Sequence, residues 1–154
     1  MTTNNHPKAW HTTSAEKYAL ISADGHLRPI GLYIQPPERP VVWFSSQEYF
    51  DRASRRVFIT GSTYQVLSIQ ETQAISGGLI RLGIDTRSLL KGHALRKSAN
   101  ISWPRWFAIR KARVLLQSDP DDWLGSLHAI PIAKLTIDVM GDDGAWIRVQ
   151  ESDT

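Results

Sequence analysis

The segment AWHTTSAEKYALISADG, residues 9–25, contains the pattern that decides the fold class. Its first five residues include aromatic and β-branched side chains and favour a short strand. Ser14 then occupies the position expected of a helix N-cap, and Tyr18 and Ile21 follow at helical spacing. Gly25 is a residue that commonly ends a helix in the left-handed conformation. A strand that leads directly into a capped helix predicts a domain containing both kinds of element.

Further strand and helix candidates follow in the rest of the chain. The predicted strands are residues 41–46, 56–60, 64–69, 79–84, 134–140 and 145–150, and the last two flank the turn Gly141-Asp142-Asp143-Gly144 as a hairpin. One helix is expected from Pro104 to about Gln117, and another is expected to start at Ser118-Asp119-Pro120. We therefore predict an α+β fold with a mixed, mainly antiparallel sheet flanked by two or three helices. A single domain would span residues 9–150, between a flexible tail at 1–8 and a short tail at 151–154.

Length and composition favour a soluble protein. A chain of 154 residues with 42% hydrophobic and 21% charged residues is suited to one hydrophobic core. No stretch reaches the ~18 consecutive apolar residues of a membrane-spanning helix, and the polar N-terminus does not resemble a signal peptide. The sequence contains no cysteine, which excludes disulfides and thiolate chemistry. These features predict a cytoplasmic protein without a membrane partner.

Positive charge is concentrated in one part of the chain. Residues 86–118 contain eight basic residues and no acid, whereas eight acids from Asp119 onward face only Lys134 and Arg148. The basic residues are Arg87, Lys91, Arg96, Lys97, Arg105, Arg110, Lys111 and Arg113. Such a block suits a polyanionic partner, either nucleic acid or an acidic protein; the alternative is a solvated helical face balanced by the acidic C-terminal part.

The helix predicted at 104–117 carries part of this block. Helical spacing predicts a core-facing side formed by Ala108, Ile109, Ala112, Leu115 and Leu116. The opposite side then carries Trp106, Phe107, Arg110, Lys111 and Arg113. Aromatic residues and arginines are enriched where interfaces are anchored. We therefore assign partner binding to Trp106, Arg110, Lys111 and Arg113.

Several common catalytic patterns are missing from the sequence. The five histidines are scattered without metal-ligand spacing, so no metal site is predicted. There is no phosphate-binding Gly-x-x-x-x-Gly-Lys, no Gly-x-Gly-x-x-Gly, and no Gly-x-Ser-x-Gly elbow. The sequence thus gives no support to the common nucleotide-binding folds or to a serine hydrolase.

Three N-terminal segments carry a family resemblance: WHTTS at 10–14, GHLRP at 25–29 and VVWFSS at 41–46. Their order resembles the opening of small ADP-ribosyltransferase-fold proteins, over roughly the first fifty residues. The resemblance implies that NAD is the cofactor and that His11 and Thr12 hold its ribose and carboxamide. It also implies that Trp43 and Ser45 line a nicotinamide pocket, where an aromatic wall excludes water from the breaking bond.

Transfer of ADP-ribose also needs a carboxylate where positive charge develops. The family supplies a glutamate from a late strand, but the final hairpin of this chain contains none before Glu151. Asp138, in the middle of that hairpin strand, and Glu71 are the candidate catalytic residues. Because the aspartate side chain is shorter by one methylene, a domain that keeps the fold and has lost the reaction is the alternative.

Each of these residues also has a structural interpretation. His11 can be a strand histidine bonded to a backbone carbonyl, Trp43 a core residue, and Asp138 a solvent-facing partner of Lys134 or Arg148. Three functions therefore stay open. They are an NAD-dependent ADP-ribosyltransferase acting on a nucleic acid or protein, a non-enzymatic binding protein such as an immunity, anti-defence or toxin-neutralising factor, and a nucleic-acid-binding domain that uses helix 104–117.

Overall fold

Residues 6–152, which the computed structural model describes, form eleven strands and four α-helices. Residues 1–5 and 153–154 of the predicted tails lie outside this range. The helices are α1 (Ala15–Asp24), α2 (Ile69–Ile75), α3 (Gly92–Ser98) and α4 (Trp103–Leu115). The strands are β1 (Lys8–Ser14), β2 (His26–Leu27), β3 (Val42–Ser45), β4 (Val57–Thr60), β5 (Thr63–Val66), β6 (Leu79–Asp85), β7 (Leu90–Lys91), β8 (Trp123–Ser126), β9 (Ile130–Pro131), β10 (Thr136–Met140) and β11 (Trp146–Gln150). None of the helices in this range has the length and apolar character needed to cross a membrane.

Seven of the strands form one sheet in the order β11-β10-β6-β1-β3-β8-β7, and each neighbouring pair is antiparallel. Two small ribbons, β2-β9 and β4-β5, complete the strand pairing. The predicted α+β class with a mainly antiparallel sheet is confirmed. Four helices, rather than two or three, accompany the sheet.

Strand β1 lies in the middle of the sheet and leads into α1 as the sequence predicts. It pairs with β6 without interruption, from Lys8 opposite Asp85 to Ser14 opposite Leu79. The Ser14 hydroxyl accepts a hydrogen bond from the Lys17 amide at 3.2 Å and so caps α1. Gly25 ends the helix with a φ of 83°, a conformation that glycine adopts at little cost. The predicted strand, cap, helix and stop are all confirmed.

The two faces of the sheet are covered by different helices. On one face, which we call the α1 face, Phe44, Leu82 and Ile137 pack with Tyr18 and Ile21 of α1 in the main hydrophobic core. On the other, the α4 face, two separate clusters form. One joins α3 and α4 to the sheet around Leu95, Ile101 and Trp106, and the other joins α2 to it around Phe50, Leu79 and Met140. The same face carries Arg81 and Asp138, which oppose each other on β6 and β10.

Trp10 of β1 lies flat across β6 on the α4 face, and this needs a glycine beneath it. A Cβ atom at Gly83 would lie 2.4 Å from Cζ3 of Trp10, which is far inside van der Waals contact. The guanidinium of Arg81 stacks over the same indole at 3.8 Å from its centroid. Gly83 thus positions the aromatic side chain that supports Arg81.

Two segments differ from their predicted structure. The strand expected at 64–69 ends at Val66, and α2 follows, capped by Ser68 and Glu71 in a reciprocal pair of hydrogen bonds. The helix expected after Ser118 is a single 3-10 turn, Pro120–Asp122. Capping residues and an early proline suit a 3-10 turn as well as they suit an α-helix. The residues that follow pair with β3 and form strand β8.

Candidate functional site

The predicted NAD-binding histidine lies on the α1 face of the sheet. The Nδ1 atom of His11 is 2.9 Å from the carbonyl oxygen of Trp43 on the neighbouring strand, and its ring lies 5.9 Å from that of Phe44. A carbonyl oxygen only accepts hydrogen bonds, so Nδ1 carries the hydrogen and Nε2 is the acceptor. Burial lowers the pKa of His11, and the bond to Trp43 opposes this effect in part. The ring is therefore neutral at pH 7, with a fixed orientation.

The other predicted NAD-binding side chains lie on the opposite face. Because side chains alternate along a strand, Thr12 faces away from His11, and pairing places Trp43 and Ser45 on the same side as Trp10. Ser45 is buried, and its hydroxyl donates a hydrogen bond to Asp51 at 2.6 Å. The structure therefore does not bring these side chains together around His11, because neighbours in sequence are separated by the thickness of the sheet.

Asp138 is a buried ion-pair partner and not a solvent-facing residue. It is 1% exposed and accepts hydrogen bonds from Nε of Arg81 at 2.8 Å and Nε of Arg148 at 2.5 Å. It shares the α4 face with Thr12, because the two residues oppose Arg81 from either side. The bond to Asp138 raises the pKa of Arg148. The expected pairing of Asp138 with Arg148 is present, but its expected solvent-facing position is wrong: two guanidinium groups hold this carboxylate away from water and on the opposite face from His11.

Glu71, the second candidate carboxylate, has a local structural role. Its Oε1 accepts a hydrogen bond from the Ser68 amide at 3.1 Å, and its own amide donates to the Ser68 hydroxyl. The helix that it caps packs on the α4 face through Ile69. Glu71 is exposed and, like Asp138, is not placed beside His11. Within residues 6–152, no cluster of three or more histidine or acidic side chains is arranged to hold a metal ion.

The faces of α4 differ from those predicted from the sequence. The buried residues are Trp106 and Arg113, with Ile109 half-buried, whereas Ala108 and Ala112 are exposed. Trp106 and Arg113 are thus largely buried, whereas Arg110 and Lys111 keep more contact with solvent. The reason is that an indole and an arginine stem bury far more apolar area than alanine side chains do.

Arg113 reaches its buried position by stacking on two indoles. Its Cζ lies 4.3 Å from the ring centroids of both Trp43 and Trp123. Arg81 makes a similar arrangement with Trp10 at 3.8 Å and a second indole, that of Trp146, at 4.8 Å. Cation–π contacts of this kind strengthen when water is excluded. The only sequence signal for these cation–π contacts was the high tryptophan content, because each arginine and the indoles on which it stacks are distant in the chain.

An aromatic surface, of which the sequence predicted only Phe107 and Lys111, joins α3 to α4. The rings of His93 and Trp103 stack with centroids 5.7 Å apart, and those of Trp103 and Phe107 stack at 5.8 Å. Trp103 is 50% and Phe107 61% exposed. The guanidinium of Arg96 lies 3.9 Å from the Trp103 ring centroid. We call these three rings, together with the cations Arg96, Lys97 and Lys111, the aromatic–basic surface.

Helical spacing explains why these residues share one surface. Residues three or four apart lie on the same side of a helix, so Arg96 and Lys97 flank His93 on α3. The same spacing aligns Trp103, Phe107 and Lys111 along α4. The cations therefore lie beside the stacked rings.

Comparison of the chain with protein-family models, with curated proteins and with solved structures finds no match. The class of protein that the structure defines is an α+β domain with a seven-stranded antiparallel sheet.

Substitution of Asp138 by asparagine should lower the free energy of unfolding by about 3 kcal/mol, because it leaves Arg81 buried without its counterion. Urea unfolding monitored by tryptophan fluorescence measures this loss. The matched control is Asp142→Asn, an exposed residue of the hairpin turn, which should change stability by no more than about 0.5 kcal/mol. Equal stability of both variants would show that Asp138 does not hold the sheet together.

The lowered pKa of His11 should make the protein less stable in mild acid. As pH falls below the unfolded-state pKa of about 6.5, the unfolded chain binds a proton that the folded ring does not, so the free energy of unfolding decreases. The variant His11→Asn keeps a donor for the Trp43 carbonyl and should show a smaller decrease between about pH 7.5 and pH 5.5. His128→Asn, at an exposed histidine, should retain the wild-type decrease. An unchanged decrease in His11→Asn contradicts this assignment.

Proposed function

We propose that this protein binds single-stranded nucleic acid through the aromatic–basic surface of α3 and α4. The observation that carries the proposal is the exposed stack of His93, Trp103 and Phe107 with a guanidinium over its central ring. Proteins that bind single strands without strong sequence preference combine aromatic platforms for the bases with cations for the phosphates. Both kinds of group are present here within two short helices.

The ion pairs of the basic residues also favour the aromatic–basic surface as the site that binds nucleic acid. Arg87, Arg105 and Arg110 form ion pairs with Asp85, Glu38 and Asp121, respectively, which reduces their availability to a ligand. By contrast, Lys97 and Lys111 make no ion pair with any residue in the described range 6–152 and are exposed. Free cations beside exposed rings are well suited to phosphate groups that follow stacked bases.

A single strand fits this surface better than a duplex does. Bases in a duplex are already stacked on each other. Unpaired bases can unstack from their neighbours and stack on side-chain rings instead. Phe107 and His93 are the two end members of the ring stack, so each has a side that is not occupied by the central Trp103. An acidic protein partner would use the lysines but would gain little from the stacked rings.

Phe107→Ala should weaken binding of a short oligo(dT) or oligo(U) by about 5- to 150-fold, since stacking of one base contributes about 1–3 kcal/mol. Trp103→Ala should weaken binding as well, because it removes the ring on which His93 and Phe107 stack. Fluorescence anisotropy with a labelled oligonucleotide measures the affinity. Tyr33→Ala, which removes an aromatic residue that is 97% exposed elsewhere, should leave binding unchanged. Lys111→Gln should reduce the salt dependence by about one unit of slope. Wild-type affinity in both Trp103→Ala and Phe107→Ala, or binding insensitive to salt, would reject the proposal.

We also propose an NAD-dependent transferase activity as a second candidate, on the resemblance of the N-terminal segments. The observation in its favour is His11, whose neutral ring is held by the Trp43 carbonyl so that Nε2 can accept a hydrogen bond, as from a ribose hydroxyl. Asp138 and Glu71 have other structural roles, so the carboxylate of such a reaction would come from another residue. A nucleic acid bound at the aromatic–basic surface would be one possible acceptor.

Calorimetric titration with NAD tests this second candidate directly. Binding that is lost in His11→Ala, with nicotinamide released on addition of a nucleic-acid acceptor, is the expected result. The Lys111→Gln variant should bind NAD as the wild type does, because its side chain lies on α4 and is exposed to solvent. Absence of any heat of binding at millimolar NAD would exclude the transferase and leave the nucleic-acid proposal unaffected.

A further inference from the structure

The two arginines that stack on paired indoles differ in their hydrogen bonding. Arg81 donates to the carboxylate of Asp138 and to the backbone carbonyl of Glu48. Arg113 is only 9% exposed. Its guanidinium makes no hydrogen bond or ion pair with any residue in the described range 6–152, and its nitrogen atoms keep some contact with solvent. The donors of Arg81 are satisfied by the protein, whereas those of Arg113 are not.

An unpaired guanidinium in this environment is energetically unfavourable. Burial lowers the pKa of Arg113 to about 10, although the nearby Asp51 acts in the opposite direction. The group therefore still carries its charge at neutral pH, and its N–H donors lie against indole rings while keeping limited contact with water. Asp51 makes no ion pair with it; the Asp51 oxygens accept hydrogen bonds from the Ser45 hydroxyl and the Ala53 amide. Donors that have no protein partner and can still be reached from solvent are available to a ligand.

A cavity of about 350 Å³ adjoins this guanidinium. Arg113 lines it together with apolar side chains, which include both stacking indoles and residues of α4: Trp43, Trp123, Ala108, Ala112 and Leu116. The alanines of α4 leave space that larger residues would fill, and they open the cavity to solvent. Its volume and chiefly apolar lining are within the range of small-molecule sites that contain few polar groups.

We propose that this cavity binds a small carboxylate with an apolar body, such as a medium-chain fatty acid or an aryl carboxylate. The carboxylate would accept hydrogen bonds from the Arg113 guanidinium, and the apolar body would lie against Ala108, Ala112 and Leu116. Planar guanidinium and carboxylate groups match in shape and can form paired hydrogen bonds. Such a ligand pairs with the free donors of Arg113 and covers the apolar wall at the same time.

The local charges favour a monoanion over a phosphate group. The other cations near the cavity, Arg105 and Arg110, are paired with Glu38 and Asp121. The guanidinium of Arg113 is therefore the one left to balance the charge of the ligand. Asp51 lies close enough to raise the pKa of this guanidinium. A doubly charged phosphate would bring uncompensated negative charge into an apolar cavity, which is costly.

The cavity is separate from the aromatic–basic surface. Ala108 and Ala112 are four residues apart and share one side of α4, whereas Trp103, Phe107 and Lys111 share another. Ligand binding in the cavity therefore does not depend on the proposed nucleic-acid binding, and the two can be tested apart.

Titration of tryptophan fluorescence with octanoate tests the proposal, because two indoles line the cavity. We expect saturable binding that weakens by about 10-fold or more in Arg113→Met, which keeps an apolar stem and removes the charge-assisted hydrogen bonds. Binding of the neutral analogue 1-octanol should be weaker than that of octanoate in the wild type and equal to it in Arg113→Met. Trp103→Ala, on the other side of α4, should bind octanoate as the wild type does.

A second variant covers the case in which Arg113→Met does not fold by circular dichroism. Ala112→Phe places a ring in the cavity from an exposed helix position and leaves Arg113 intact, so it should abolish binding of octanoate and 1-octanol alike. The proposal is overturned if wild-type protein shows no saturable response to millimolar octanoate, or if Ala112→Phe binds it normally. It is also overturned if inorganic phosphate displaces octanoate at equal concentration.

Discussion

The uninterrupted pairing of β1 with β6 is the constraint on which the rest of the structure depends. It joins the two halves of the sheet over the full length of both strands and fixes which side chains point to each face. Trp10 can lie across β6 because Gly83 is opposite it, and Arg81 can then stack on Trp10 and reach Asp138 on the next strand. A shift of one residue would exchange the hydrophobic core with this polar network.

Two buried arginines organise the α4 face in different ways. Desolvation of a guanidinium costs several kcal/mol, and stacking on indoles returns only part of that cost. For Arg81 the remainder is supplied by Asp138, which links three strands of the sheet through its two arginine partners, Arg81 and Arg148. Arg113 has no such partner among the described residues, and the cavity beside it provides room for one. Similar side-chain stacking therefore gives a structural network at one place and a ligand-binding environment at the other.

Three sides of helix α4 have different roles. Trp106 and Arg113 attach it to the sheet, Trp103 and Phe107 present stacked rings to solvent, and the alanines at 108 and 112 border the cavity. This division is possible because the buried side is narrow: one indole and one stacked guanidinium supply most of its packing. The helix can therefore expose two further surfaces without losing its attachment to the core.

The sequence by itself determined the local elements of this protein, and only the tertiary structure decided how they combine into sites. Ser14, Gly25 and the hairpin turn at 141–144 act within a few residues, so the α1 helix, the final hairpin and the α+β class could be predicted. The α2 helix, the strand that begins at Trp123, the buried side of α4 and the separation of His11 from Asp138 could not. Each of these depends on which strands become neighbours in the sheet and on which side chains gain most from burial there. Those choices involve contacts between residues far apart in the chain, and no local pattern of side chains encodes them.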